Sequence, residues 1–131
     1  MGLFNSIFGS NKDGESKPEE ASPWVMLTTM EQLDEIAEKS ASRTQVIFKH
    51  STTCGISRMV LNGFERNPVF REKRVDFYFL DLHRYRDISN GIAQKFEVYH
   101  QSPQLLVIRN GQTVAHDSHG GVNEVALEKY V

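Results

Sequence analysis

The sequence predicts an α/β domain: a mixed five-stranded sheet with helices on both faces, in the order βαβαβαββα. Apolar runs that suit strands, at 46–48, 75–82 and 104–108, alternate with stretches whose apolar residues recur at helical spacing. Such alternation implies parallel pairing through right-handed crossovers. Asn110-Gly111 then reads as a hairpin between the last two strands, which gives the sheet an antiparallel edge.

In chain order, residues 1–23 read as a flexible tail and linker, and 24–131 as the domain. Within MGLFNSIF, Leu3, Phe4, Ile7 and Phe8 would share one face of a short helix. The plain reading is a frayed terminus; the sharper one is a weak membrane or partner anchor. Met1-Gly2-Leu3-Phe4-Asn5-Ser6 also fits the loose N-myristoylation pattern. Residues 9–23 are Gly, Ser, Pro and charge with nothing to bury, which suits a linker.

Trp24–Leu27 is the first expected strand. Thr29 and Gln32 have the spacing of a capping box, and Leu33, Ile36 and Ala37 give the first helix its buried stripe to about Lys39. Gln45–His50 is the second strand. Ile56, Met59, Val60, Gly63 and Phe64 mark a helix over 55–65, stopped by Asn67-Pro68. Val75–Leu82 is apolar nearly throughout and suits a strand covered on both faces. Ser89 is the expected cap of a third helix ending near Phe96. Gln104–Ile108 and Gln112–Ala115 flank the hairpin turn, and Gly120-Gly121 is expected to precede a last helix over 123–131.

The bulk properties exclude several functions. With 15 basic and 17 acidic residues the net charge is −2, which gives no argument for nucleic acid. No apolar run approaches the roughly 20 residues of a membrane span. No signal peptide is expected, since the N-terminus lacks a basic region and its apolar part is short. A single cysteine leaves no internal disulfide, and a free thiol fits a reducing compartment, so the cytoplasm is the expected location. His50, His83, His100, His116 and His119 form no zinc-type pattern with Cys54, and no metal site is expected.

Chemistry concentrates at that cysteine. Val46-Ile47-Phe48 runs into the polar turn Ser51-Thr52-Thr53, then Cys54 opens a helix. Thiols at helix N-termini are favoured as thiolates by the unpaired N–H groups and the helix dipole. An ordinary thiol is only about 3% ionised at neutral pH, and a two-unit shift requires about 2.7 kcal/mol. A helix terminus supplies up to about 2 kcal/mol when partly buried. Hydrogen bonds from the first turn and from Ser57 would add the rest. Lys49 and His50 add positive charge only if they face the sulfur, and strand alternation lets at most one do so. The bland alternative is an inert core cysteine. The polar turn before Cys54 and Gly55 after it favour an exposed position. Ser102-Pro103 precedes the fourth strand, where a proline must start the strand or occupy a special turn. Because cis X–Pro bonds are rare, about 5–6% in folded proteins, the bare sequence argues for trans.

Cys54-Gly55-Ile56-Ser57 resembles the Cys-x-x-Cys of thioredoxin-fold active sites, with serine in place of the second cysteine. Ser57 shares the face of Cys54 on the first turn but cannot form a disulfide with it. More of the chain supports a closer likeness. FKHSTTCGIS (48–57), DFYFLDLHRYRDISNGIAQKF (76–96), HQSPQLLVIRNG (100–111) and Ser118-His119 resemble the YtxJ-type monothiol bacilliredoxins, across roughly 24–122. The resemblance implies a thioredoxin-like fold with the third strand between the first and second, then the fourth and fifth. It implies that Pro103 is a cis-proline facing the sulfur. It also implies that Cys54 attacks a protein–bacillithiol mixed disulfide, with bacillithiol as co-substrate and no resident cofactor. The expected partners are bacillithiolated client proteins and a low-molecular-weight thiol. Ser102 and Pro103 would pair with the client, next to a rim of Thr53 and Gly55. Many relatives carry proline where this chain has Gly55, which leaves the first turn looser. Gly120 and Gly121 join the expected binding set, with the last helix's free N–H groups holding a carboxylate of the small thiol; the plain alternative is a C-cap or turn.

One alternative is an iron–sulfur cluster carrier, because Cys-Gly-Ile-Ser is one residue from the Cys-Gly-Phe-Ser of monothiol glutaredoxins. Another is a docking module in which the thiol is incidental.

Overall fold

The computed structural model describes residues 22–131. The anchor and myristoylation readings of residues 1–8, and nearly all of the expected linker, lie outside the described residues. The elements are β1 (Trp24–Met26), α1 (Glu31–Lys39), β2 (Thr44–His50), α2 (Gly55–Glu65), a 3-10 turn (Pro68–Arg71), β3 (Val75–Asp81), α3 (Arg86–Phe96), β4 (Gln104–Arg109) and β5 (Gln112–Ser118). Two further 3-10 turns, His119–Glu124 and Leu127–Lys129, close the chain.

One five-stranded sheet has the order β1-β3-β2-β4-β5. β1 and β2 both pair with β3 in parallel, β4 runs antiparallel to β2, and β5 antiparallel to β4. The hairpin follows the expected chemistry: Asn110 and Gly111 both take positive φ, 53° and 75°, as a tight two-residue turn requires. Among the described residues no helix is long and apolar enough to cross a membrane.

β2 is the central strand, and all of its residues are buried. Alternation along it feeds two apolar layers. Ile47 joins Leu33, Ile36, Leu80, Ile92 and Leu106 under α1 and α3. Val46 and Phe48 join Val60, Phe64, Phe77 and Val107 under α2. Trp24 fastens β1 to this second layer. Its ring stacks on Phe64 with centroids 5.7 Å apart, and its indole N–H donates to Glu65 Oε2 at 2.7 Å. Aromatic pairs of this kind contribute about 0.5–1.5 kcal/mol each beyond burial. The C-terminal half of α2 is thereby held, which fixes the direction of its other end.

The reciprocal bonds of the Thr29–Gln32 box are present. Thr29 N–H donates to Gln32 Oε1 at 3.0 Å, and Gln32 N–H to Thr29 Oγ1 at 3.3 Å. α2 has the expected bounds, and Asn67 closes its exit by accepting from Val69 N–H.

Two expectations are corrected. Ser89 does not cap α3, which begins at Arg86; Ser89 lies one turn inside and is fully buried. No α-helix follows Gly120-Gly121. β5 continues to Ser118, and both glycines fall inside the 3-10 turn. Val125 then adopts an extended backbone, φ −70° and ψ 126°, between the two turns. The buried residues of these turns, Val122 and Leu127, are five apart, a spacing that one face of an α-helix does not repeat. They pack instead as separate plugs against α2.

Candidate active site

Cys54 is the N-cap residue of α2, with an extended backbone of φ −110° and ψ 120°. Its N–H donates to the Ser51 carbonyl at 3.2 Å, and its own carbonyl accepts from Arg58 N–H at 3.2 Å. The thiol is free, half-buried, and makes no cap hydrogen bond. It occupies the place where a serine or aspartate oxygen would receive the first-turn N–H groups. A thiolate there would be the natural acceptor. Gly55 leaves the space beside it open, since a Cβ on Gly55 would meet nothing within 4 Å.

Ser57 does not serve Cys54 as expected. It is fully buried, its Oγ accepts from Ser51 N–H at 3.1 Å, and His50 Nδ1 lies 2.8 Å from the same oxygen. No hydrogen bond joins Ser57 to Cys54 among the described residues. The i, i+3 spacing put both on one side of the helix, but the hydroxyl turns inward to the strand beneath. Ser57 is therefore a positioning residue for the turn.

His50 is the member of the Lys49-His50 pair on the α2 face; Lys49 points to the opposite layer, towards Ser89. Burial pushes the His50 pKa below the ordinary imidazole value. Asp81 opposes that shift and Arg58 adds to it. Burial thus works against a positive charge on this imidazole.

A second histidine stands on the other side of the turn. His83 Nε2 lies 2.8 Å from Ser51 Oγ and 3.1 Å from Thr53 Oγ1. Thr53 is exposed, as a rim residue should be. The linear pattern gives His83 no role. The signal was the parallel register: His50 pairs with Asp81, so residues just after each emerge at the same sheet edge.

The Ser102-Pro103 bond is cis, against the bare-sequence expectation and in line with the resemblance. Pro103 is buried next to Gln104, which pairs with Lys49, so it stands level with the end of β2 that leads into the Cys54 turn. The Pro103 carbonyl accepts from His119 N–H at 2.9 Å. Ser102 Oγ is buried with no partner among the described residues.

Gly120 and Gly121 do not form the expected anion cradle, because the helix that was to supply it is absent. The Asp117 carboxylate also packs on Gly121, so closely that a Cβ there would come 2.5 Å from Oδ1. A negative group at that place repels a second carboxylate. Among the described residues no group of three or more His, Cys, Asp or Glu could hold a metal ion.

The sequence profile of the monothiol bacilliredoxin BrxC family matches residues 25–127. Among solved structures, one described as a candidate oxidoreductase with a thioredoxin fold is 32% identical, with a TM-score of 0.69 over 82% of this chain and 92% of that one. Thioredoxin NaTrxh from Nicotiana alata is 21% identical, with a TM-score of 0.65 over 89% of this chain and 98% of that one. Thioredoxin O2 from Arabidopsis thaliana, in its oxidised state, is 20% identical, with a TM-score of 0.64 over 84% of this chain and 96% of that one. The two plant thioredoxins share the fold alone. Family and fold together make this a thiol oxidoreductase of thioredoxin fold with a single cysteine, and the chain belongs to the monothiol bacilliredoxin family.

Proposed function

We propose that the protein removes bacillithiol from protein mixed disulfides, with Cys54 as the nucleophile. The observation that carries this is the single half-buried thiol at the uncapped mouth of α2, where the other potential redox position is a buried serine. The Cys54 thiolate attacks the bacillithiol sulfur of the client's mixed disulfide. The client–bacillithiol S–S bond breaks, and the client leaves with the electron pair and takes a proton as a thiol. Cys54 and bacillithiol are then joined by a new disulfide. Ser57 offers no sulfur to resolve it. A second low-molecular-weight thiol must attack the bacillithiol sulfur, which frees Cys54 and leaves with bacillithiol as a small disulfide.

Ser102 and Pro103 would hold the client as an extended strand beside the sulfur, and Thr53 and Gly55 would form the rim it crosses. A reducing compartment, the cytoplasm, suits this chemistry. The test is to incubate the reduced protein with a bacillithiolated client and follow Cys54 by mass spectrometry. A bacillithiol adduct on Cys54 with the client freed is expected. An unmodified Cys54 beside an intact client adduct would overturn the proposal.

The open space at Gly55 favours one second reading, a cluster carrier in which one cysteine from each of two protomers and two small thiols hold iron and sulfur. A brown protein that bleaches in air, and stays colourless as Cys54→Ser, would decide for it.

A further inference from the structure

On the sheet face turned away from α2, Lys49 is buried in full. Its Nζ lies 3.3 Å from the Ser89 carbonyl and 3.3 Å from His100 Nδ1. Ser89 Oγ lies 3.1 Å from the same ring nitrogen. Among the described residues no carboxylate pairs with this ammonium. A leucine would fill the space without dehydrating a charge, which costs several kcal/mol. The lysine therefore stands at a position where packing alone argues against it.

What it holds is the stretch 97–103 between α3 and β4, which has no regular structure and ends at Ser102-Pro103. Apolar burial does little there: Val98 is buried, but Tyr99 is 92% exposed, and His100 and Gln101 are exposed too. Polar tethers take its place. Gln104, the register partner of Lys49, donates from Nε2 to the Tyr99 carbonyl at 2.8 Å and accepts from Gln101 N–H at 3.4 Å. The His100 ring is tied down by Lys49 and Ser89 two residues before Ser102.

We propose that Lys49, Ser89 and His100 form a polar clamp that positions the Ser102-Pro103 segment for docking of the client, and that acid opens it. The proposal rests on the reading of that segment as the client-pairing strand. Neither Lys49 nor His100 touches the reacting sulfurs; both are positioning residues. The acid sensitivity follows from the geometry. A charged Lys49 donates to a neutral His100, and a second proton on the ring would set two cations 3.3 Å apart. Burial, then Lys49, then Arg86 hold the His100 pKa below its ordinary value. The groups acting on the ring are Lys49 from β2 and Ser89 and Arg86 from α3, and no carboxylate is among them to offset that repulsion. A protonated ring leaves the clamp, and the segment loosens.

Three measurements on the full chain test this: exchange with a bacillithiolated single-cysteine protein, alkylation of Cys54 by iodoacetamide, and amide hydrogen exchange over 98–104. Lys49→Met is expected to slow client exchange about tenfold, since a small misplacement of a docking strand has effects of that order. Its alkylation should stay near wild type, because iodoacetamide needs no docking strand, and hydrogen exchange over 98–104 should rise. His100→Gln keeps an acceptor for Lys49 but cannot titrate. It should match wild type near pH 7.5 and lose the rise in hydrogen exchange that wild type shows on going to about pH 5.5. Wild-type client exchange that Lys49→Met leaves unchanged, with unchanged protection over 98–104, would overturn the clamp. A wild type that never exchanges with the client overturns the client-pairing reading, and hydrogen exchange still decides whether the clamp exists.

Discussion

His50 Nδ1 lies 2.8 Å from Ser57 Oγ, inside the protein and directly under the turn that presents Cys54. The same oxygen accepts from Ser51 N–H at 3.1 Å. One serine hydroxyl thus ties the end of β2, the turn after it and the first turn of α2 together. The turn that carries Cys54 is held from behind by this knot.

Replacing Ser57 with alanine should therefore cost stability. It leaves the buried Ser51 N–H and the His50 ring nitrogen without their partner, a loss of about 1–3 kcal/mol. Urea denaturation is the measurement. The mutant's thiol should still be alkylated, because Ser57 makes no bond to the sulfur. Ser57→Ala as stable as wild type would show that the knot does not hold the turn.

Acid should weaken the fold through His50. Its pKa is lowered in the native state, by burial first, so the unfolded chain binds the proton more readily. Stability is complete above the ordinary imidazole value of about 6.5 and falls as the pH drops from there towards the lowered native value. Denaturant titrations across this range should show a loss that is smaller in His50→Gln.

Alkali should strengthen it through Lys49. Burial lowers this lysine from its ordinary 10.5 to about 8. The unfolded chain therefore holds more protons between those values, and stability rises with pH across the window. Tyr78 opposes the trend only above about pH 10, where the unfolded phenol begins to ionise. Burial, then Asp76 and Glu35, raises its native pKa to about 12. Lys49→Met should remove the rise between about pH 8 and 10. Calorimetry at several pH values tests this.

Gly55→Pro should stabilise the protein by about 0.4–1 kcal/mol, since proline suits the first position of a helix and restricts the unfolded chain. Nothing lies within 4 Å of a Cβ placed there, and Cys54 already has the extended backbone that a following proline favours. A lower thermal midpoint than wild type would contradict this.

The sequence was sufficient wherever the information is local or periodic. Strand and helix periods over 45–50, 55–65 and 75–82, the Thr29–Gln32 box and the Asn110-Gly111 turn each act within a few residues, so pattern alone located them, the strands to within one residue. The position of Cys54 at a strand-to-helix junction was legible for the same reason. Tertiary structure decided what depends on distant partners. The direction of the Ser57 hydroxyl was set by His50 below it. The approach of His83 to Ser51 and Thr53 came from the parallel register of β2 and β3. Lys49 is buried because β2 is covered on both faces. The last expected helix gave way to 3-10 turns, whose Val122 and Leu127 are buried in the apolar layer shared with α2. A hydroxyl or an imidazole goes to whatever partner the sheet brings within about 3 Å, and a linear pattern holds no record of which partner that is.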